Sequence, residues 1–209
     1  MKTLGLLLAA ILFAQPLAGQ GTSLARVDAA TLREVQPVLE AAARDSLPVV
    51  AIESKVLEGV AKRVQPAQIG EVVRQLAEEL RAARGTLREE LPGRPIVDGE
   101  VVAAAMAARQ GVGRDVLRVL LESSPAGGSL EIPMTVLGEL VRRGVPAEDA
   151  SLAIAEVVRS GVPMHIAAQI PGRMDGAMRP GSPPGQALAA ALRELDIPGP
   201  PSGRGRGRR

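Results

Sequence analysis

The sequence contains no cysteine, tryptophan or tyrosine, and its single phenylalanine is Phe13. Without cysteine the chain can form no disulfide, so its core must hold by packing alone, and a cysteine-linked lipid anchor is excluded. Without aromatic side chains it has no platform on which to stack bases or sugars and no cage for a quaternary amine. The core must therefore consist of Leu, Val, Ile, Ala and a few Met.

Residues for common catalytic chemistries are also scarce. His165 is the only histidine, and a zinc site there would need carboxylates as its other ligands, which is unusual. The sequence contains no G-x-S-x-G nucleophile motif and no phosphate-binding glycine loop. We therefore expect no catalytic residue, no metal and no cofactor, and an ordinary exposed histidine near a helix start.

The N-terminus has the layout of a secretory signal peptide over residues 1–21. One positive charge, Lys2, precedes an apolar run of 11 residues from Leu4 to Ala14, and small residues follow up to Gly21. The run is too short to span a bilayer as a helix, which needs about 20 residues. We expect the mature chain to begin between residues 19 and 22 and the protein to be exported to the bacterial periplasm or the extracellular medium.

The body of the chain, residues 22–178, has the pattern of an all-α domain. Apolar residues recur three and four apart, as in the stripe Ile69, Val72, Val73, Leu76, Leu80 and Ala83. Asp28 is expected to cap a helix that runs to about Arg44, with Pro37 bending or splitting it, and Asp98 to cap a later helix. Three helix pairs, at about 48–84, 98–124 and 132–160, predict stacked pairs in an irregular α-helical repeat or bundle.

Short joints connect these helices. Gly144-Val145-Pro146 and Gly161-Val162-Pro163 share one pattern, and Gly111-Val112-Gly113 is a looser copy. In each, the glycine is expected to end a helix in the left-handed conformation, with an apolar residue four positions before it facing the valine after it. Gly111, Gly144 and Gly161 are therefore predicted structural caps, and valine in place of Gly144 or Gly161 should cost about 1–2 kcal/mol. Val64-Gln65-Pro66 is a version without glycine.

The segment "AAAMAARQGVGRDVLRVLLES" resembles the DNA-binding helix-turn-helix pattern. The resemblance rests on a small residue at Ala107, the turn Gly111-Val112 and an apolar Leu117. It implies that the second helix would present polar side chains to the major groove, namely Arg114, Asp115, Arg118 and Glu122. A tight helical hairpin of any function would choose the same positions.

The C-terminal residues 179–209 are rich in proline and glycine. They are expected to form a flexible tail in which "ALAAALRELDI" can form one short helix and "PGPPSGRGRGRR" is disordered. Without Lys2 and the four terminal arginines, 20 basic residues face 23 acidic ones, so the body is mildly acidic. We expect the tail to make weak, salt-sensitive contacts with anionic polymers or anionic lipid surfaces through Arg204, Arg206, Arg208 and Arg209, without nucleic-acid specificity.

A second resemblance covers Leu47 to Met174 and rests on "LPVVAIESKVLEGVAKRV", "IGEVVRQLAEELRAARGTL" and "LVRRGVP". These segments resemble uncharacterised exported helical proteins of GC-rich bacteria, which implies an all-helical fold and no known activity. The expected function is non-catalytic binding or scaffolding with a protein partner. Two alternatives stay open at this point, a DNA-binding helix-turn-helix protein and a hydrolase whose site the sequence does not reveal.

Overall fold

A computed structural model describes residues 24–124 and 128–197. Over these residues the chain is all-α, without strands, which confirms the predicted fold class. The predicted signal peptide (1–21) and the four terminal arginines lie outside the described residues. After a short 3-10 turn, Leu24–Arg26, the helices are α1 (Ala29–Arg44), α2 (Val49–Ala61), α3 (Pro66–Glu90), α4 (Asp98–Arg109), α5 (Arg114–Glu122), α6 (Glu131–Arg142), α7 (Ala147–Arg159), α8 (Met164–Ala167), α9 (Ile170–Ala177) and α10 (Pro184–Glu194).

The helices pack in successive layers. Helix α1 packs on α3, α4 on α6, and α5 on α7, so that each of these helices contacts the next but one along the chain. Helix α3 also packs on α4 and thereby joins the N-terminal helices to the α4/α5 and α6/α7 pairs. At the other end α9 packs on α10 and contacts α6. The stacking agrees with the predicted architecture, and the predicted pairs α2/α3 and α6/α7 pack within themselves. In the predicted pair at 98–124, by contrast, α4 packs on α6 and α5 on α7 rather than on each other.

The core is aliphatic throughout, with Leu80, Leu137 and Ile154 among its fully buried side chains. The layer between α4 and α6 is especially close. Gly138 of α6 lies against Ala107 of α4, and a Cβ added at Gly138 would stand 3.1 Å from the Ala107 Cα. Small residues here bring two helix backbones together, and this interface fixes the position of α4.

The three predicted glycine joints end their helices in the left-handed conformation. The φ angles are +92° at Gly111, +86° at Gly144 and +66° at Gly161. Each glycine amide donates to the carbonyl three residues earlier, and the valine amide after it donates to the carbonyl five residues earlier. This is the Schellman pattern of hydrogen bonds. The longer bonds are Val112 to Ala107 at 3.1 Å, Val145 to Leu140 at 3.1 Å and Val162 to Val157 at 3.3 Å.

Three more helices end in the same way without glycine. Ser46, Arg63 and Asp196 have φ angles of +55°, +56° and +54°. Their hydrogen bonds repeat the glycine joints, with the longer bonds running from Leu47 to Ala42 (2.8 Å), Val64 to Gly59 (3.0 Å) and Ile197 to Leu192 (2.9 Å). An L-residue in this conformation is strained by about 1–2 kcal/mol. One joint geometry therefore occurs six times in the described residues.

The helix starts show one confirmed prediction and one correction. The Asp28 carboxylate accepts hydrogen bonds from the amides of Ala30 (3.0 Å) and Thr31 (2.9 Å), and α1 runs to Arg44. Helix α1 continues through Pro37 and is not split. The prediction for Asp98 is wrong, because Val97 occupies the capping position and Asp98 is the first residue of α4. The Asp98 side chain instead pairs with Arg84 at 3.0 Å.

The folded body extends beyond residue 178. Helix α10 packs on α9, and it buries Ala187, Leu188, Ala191 and Leu192, followed by Ile197. The predicted tail therefore begins too early at 179, because its short helix carries an apolar stripe that completes the C-terminal end of the stack. Residues 198–209 lie outside the described part of the chain.

Candidate functional site

The surface of α2, α3 and α4 carries an open depression, which we call the Met106 groove. Its volume is about 290 Å³. Its lining is both apolar and polar. We use the word floor for its apolar lining residues Val72, Leu76, Val102 and Met106, and the word rim for its polar ones, Ser54, Lys55, Glu58, Gln75, Glu79 and Arg109. A second depression between α3, α4 and α5, the alanine cavity, has a volume of about 340 Å³ and is lined mainly by alanines of α3 and α4.

Two large apolar side chains of the Met106 groove are open to solvent. Val72 is 43% exposed and Met106 is 51% exposed. Single exposed apolar residues are common on protein surfaces, but these two lie together in one concave site. The stripe in α3 placed Val72 with the core, but only its neighbour Val73 is fully buried. Val72 therefore lies at the edge of the apolar stripe and extends it into the groove.

The charges at one side of the groove neutralise each other. Lys55 donates a hydrogen bond to Glu58 at 2.7 Å, and Lys62 donates to the other oxygen of the same carboxylate. These two hydrogen bonds, from Lys55 first and Lys62 second, lower the pKa of Glu58 to about 2. Both lysines are thus occupied within the protein.

Glu79 and Arg109 line both the Met106 groove and the alanine cavity, so they stand at the boundary between the two. The Glu79 Oε1 accepts a hydrogen bond from Gln75 Nε2 at 3.1 Å. The Glu79 Oε2 is buried and accepts no hydrogen bond from the described residues. Arg109 Nε lies 3.6 Å from it, which is close enough for an ion pair but too long for a hydrogen bond.

The second helix of the helix-turn-helix resemblance is tied to α3. Arg114 Nε donates to Glu90 Oε1 at 2.7 Å, and Arg118 Nε donates to Glu90 Oε2 at 3.0 Å. Arg114 also pairs with Glu89 at 2.8 Å. The hydrogen bonds from Arg118 and then Arg114 lower the pKa of Glu90. The positive charges of α5 are therefore compensated inside the protein.

His165 lies in the first turn of the short helix α8 and is exposed. Within the described residues, no cluster of three or more histidine, aspartate or glutamate side chains is placed to hold a metal ion. Over the same part of the chain, no helix combines the length and the apolar character needed to cross a bilayer. Because Arg204, Arg206, Arg208 and Arg209 lie outside that part, their contact with polyanions stays a prediction.

No protein-family model, curated protein or solved structure matches this chain. The resemblance to exported helical proteins of GC-rich bacteria therefore stays a prediction. The Met106 groove was not predicted, because it forms only when α2, α3 and α4 meet. The one local signal for it was the pair of adjacent valines at 72 and 73, which cannot both point to the same core.

Proposed function

We propose that this protein is an exported, non-catalytic binding protein whose Met106 groove receives a segment of a partner protein. The observation that supports this most directly is the exposure of Val72 and Met106 on the floor of one groove whose single rim lysine, Lys55, is already paired with Glu58. Amphipathic helices bind in apolar grooves of this kind through residues three and four apart. Stacked helix pairs hold such a groove on rigid elements.

The geometry gives less support to the two alternatives. DNA contact requires basic side chains that are free to neutralise phosphates. Arg114 and Arg118 are instead held by Glu90, and the body of the chain carries more acidic than basic residues. A hydrolase would need a nucleophile beside a base, and the single histidine, His165, is exposed on a four-residue helix.

Selection of random peptides on the immobilised mature protein tests the proposal. We expect wild-type protein to enrich a family of amphipathic peptides, and Val72→Glu to lose them because a charge would stand on the apolar floor. Met178→Glu is the matched control, since Met178 is 43% exposed but does not line the groove. Enriched peptides that still bind Val72→Glu would place binding elsewhere and refute this site.

Export is part of the same proposal and has a separate test. N-terminal sequencing of the extracytoplasmic protein should give a start between residues 19 and 22, because small residues follow the apolar run there. An intact Met1 in a cytoplasmic pool would contradict export. It would leave the groove itself unaffected.

A further inference from the structure

Within the described residues, only one oxygen of the Glu79 carboxylate accepts a hydrogen bond. Its Oε1 is held by Gln75, but its buried Oε2 has no hydrogen-bond donor among the described residues. A buried acceptor left without a donor is unfavourable, and more so when it carries charge. Glu79 lines both the Met106 groove and the alanine cavity, and Arg109 stands beside its Oε2. A ligand in the groove could therefore supply the missing donor.

Arg109 is a poor substitute for that donor. It is the last residue of α4, its side chain is 54% exposed, and its Nε stays 3.6 Å from the Glu79 Oε2. A charge-assisted hydrogen bond would be shorter, at about 2.7–2.9 Å. Because Arg109 is half in solvent and at a helix end, it can turn outward when another cation arrives. Its ion pair with Glu79 then becomes exchangeable.

Neither cation that lines the groove offers an equivalent place to an anion, because Lys55 is paired with Glu58 and Arg109 stands beside Glu79. Glu58 already takes hydrogen bonds from Lys55 and Lys62. An anion on the floor would also stand close to the Glu79 carboxylate, which repels it. Charge complementarity at the buried oxygen thus favours a positive group, and the surrounding floor favours an aliphatic one.

We propose that the Met106 groove selects partner segments in which a basic side chain stands among aliphatic ones, and that the buried Glu79 oxygen accepts a hydrogen bond from this basic group. The proposal rests on the function proposed above, because it names the chemistry of the segment that the same groove receives. The aliphatic side chains cover Val72 and Met106, and the cation replaces Arg109 at Glu79.

Methionine methyl NMR of the mature protein tests this selectivity with three probes of equal chain length, heptylammonium, heptanoate and heptan-1-ol. Met106 reports on the groove. Met178 is an exposed control outside it, and Met134 is a buried control in the core. We expect heptylammonium to shift the Met106 signal with a dissociation constant about three- to tenfold lower than those of the other two probes. The Met178 and Met134 signals should stay in place.

Glu79→Gln should remove the preference for the ammonium probe while heptan-1-ol still binds. Glu78→Gln is the matched control, because it makes the same change on the same helix at an exposed position outside the groove. It should keep the preference. Circular dichroism of both variants checks that each remains folded, and a preference retained in folded Glu79→Gln would overturn the assignment to this carboxylate.

The remaining outcomes separate the two proposals. Equal affinity for all three probes, or a preference for heptanoate, would overturn the cation selectivity and leave a groove that binds apolar groups. The absence of any shift at Met106 would also overturn it. The proposed function would then be judged by the selection of random peptides, which presupposes no particular charge in the bound peptide.

Discussion

Replacing glycine by alanine at Gly144 should destabilise the protein, although alanine is the better helix former. Gly144 has a φ of +86°, where an L-residue is strained by about 1–2 kcal/mol. The added Cβ would meet Pro184 Cγ at 3.5 Å, an ordinary contact that neither clashes nor helps much. Alanine also lowers the conformational entropy of the unfolded chain, and this offsets part of the strain energy in the folded state. We expect a net loss of about 1 kcal/mol in the free energy of unfolding.

The same substitution at Gly85 should change the free energy of unfolding in the opposite direction. Gly85 lies inside α3, and nothing stands within 4 Å of an added Cβ. Alanine there should raise the free energy of unfolding by about 0.5–1 kcal/mol through helix propensity. At Gly138 the substitution brings the same gain in helix propensity as at Gly85, but the added Cβ would stand 3.1 Å from the Ala107 backbone. We expect overpacking to dominate and to cost about 1–2 kcal/mol there.

Urea unfolding followed by far-UV circular dichroism measures all three variants, which suits a chain without tryptophan or tyrosine. A free-energy change of 1 kcal/mol corresponds to about 2–4 °C in the melting temperature for a chain of this size. The decisive comparison is between the sign of the stability change at Gly144 and the sign of the change at Gly85. If both variants are equally stabilised, Gly144 is an ordinary helical glycine and does not end α6 in the left-handed conformation.

Three further predictions concern other joints and charges. Arg63→Gly should stabilise the protein by about 0.5–1 kcal/mol in the same urea assay, because glycine relieves the strain at φ +56°; a loss of stability would contradict this. Glu100→Gln should cost about 2–4 kcal/mol, because this carboxylate is 1% exposed and accepts hydrogen bonds from Arg94 and from the Leu130 amide; an unchanged urea midpoint would show that the pair is dispensable. Glu58 has a pKa lowered from 4.5 to about 2, so its stabilising effect is present above pH 4.5 and is lost as the pH falls toward 2. Glu58→Gln should reduce the loss in the free energy of unfolding between pH 4.5 and 2. An unaltered pH dependence of that free energy would show that Glu58 does not contribute to stability.

The helices could be predicted from the sequence where local chemistry alone decides them. The Asp28 cap and the end of α1 near Arg44 depend on one carboxylate and one apolar stripe. The joints at Gly144 and Gly161 depend on one glycine followed by a valine and a proline. In each case the deciding interaction lies within a few residues, so the pattern is visible in the sequence.

The joints at Ser46, Arg63 and Asp196 were harder to predict, because no glycine marks the left-handed residue. A signal was nevertheless present. In the sequence each of the three is followed by an aliphatic residue and then, one or two positions later, by a proline. The strain at these positions is offset by burying the aliphatic residue, as with Leu47 and Ile197, which are almost fully buried. Tertiary packing therefore decides what the local pattern leaves open.

The candidate site lay beyond sequence reasoning for a similar reason. Glu79 and Arg109 are 30 positions apart, and nothing local indicates that their side chains meet. The Glu100–Arg94 pair is local in sequence, but its partner amide at Leu130 lies beyond α5. Such contacts depend on how α3, α4 and α6 are placed relative to each other.

The layered packing of the helices also bears on how the chain folds. The extensive contacts join helices that are one to three places apart in the chain, such as α1 with α3 and α4 with α6. Contacts between nearby segments close short loops, and proteins dominated by them fold quickly. In a stack of this kind folding can begin in one layer and spread to the next, so it does not require the whole chain to be present. If the protein is exported, as proposed above, and crosses the membrane unfolded, its first layers could fold before its last ones have crossed.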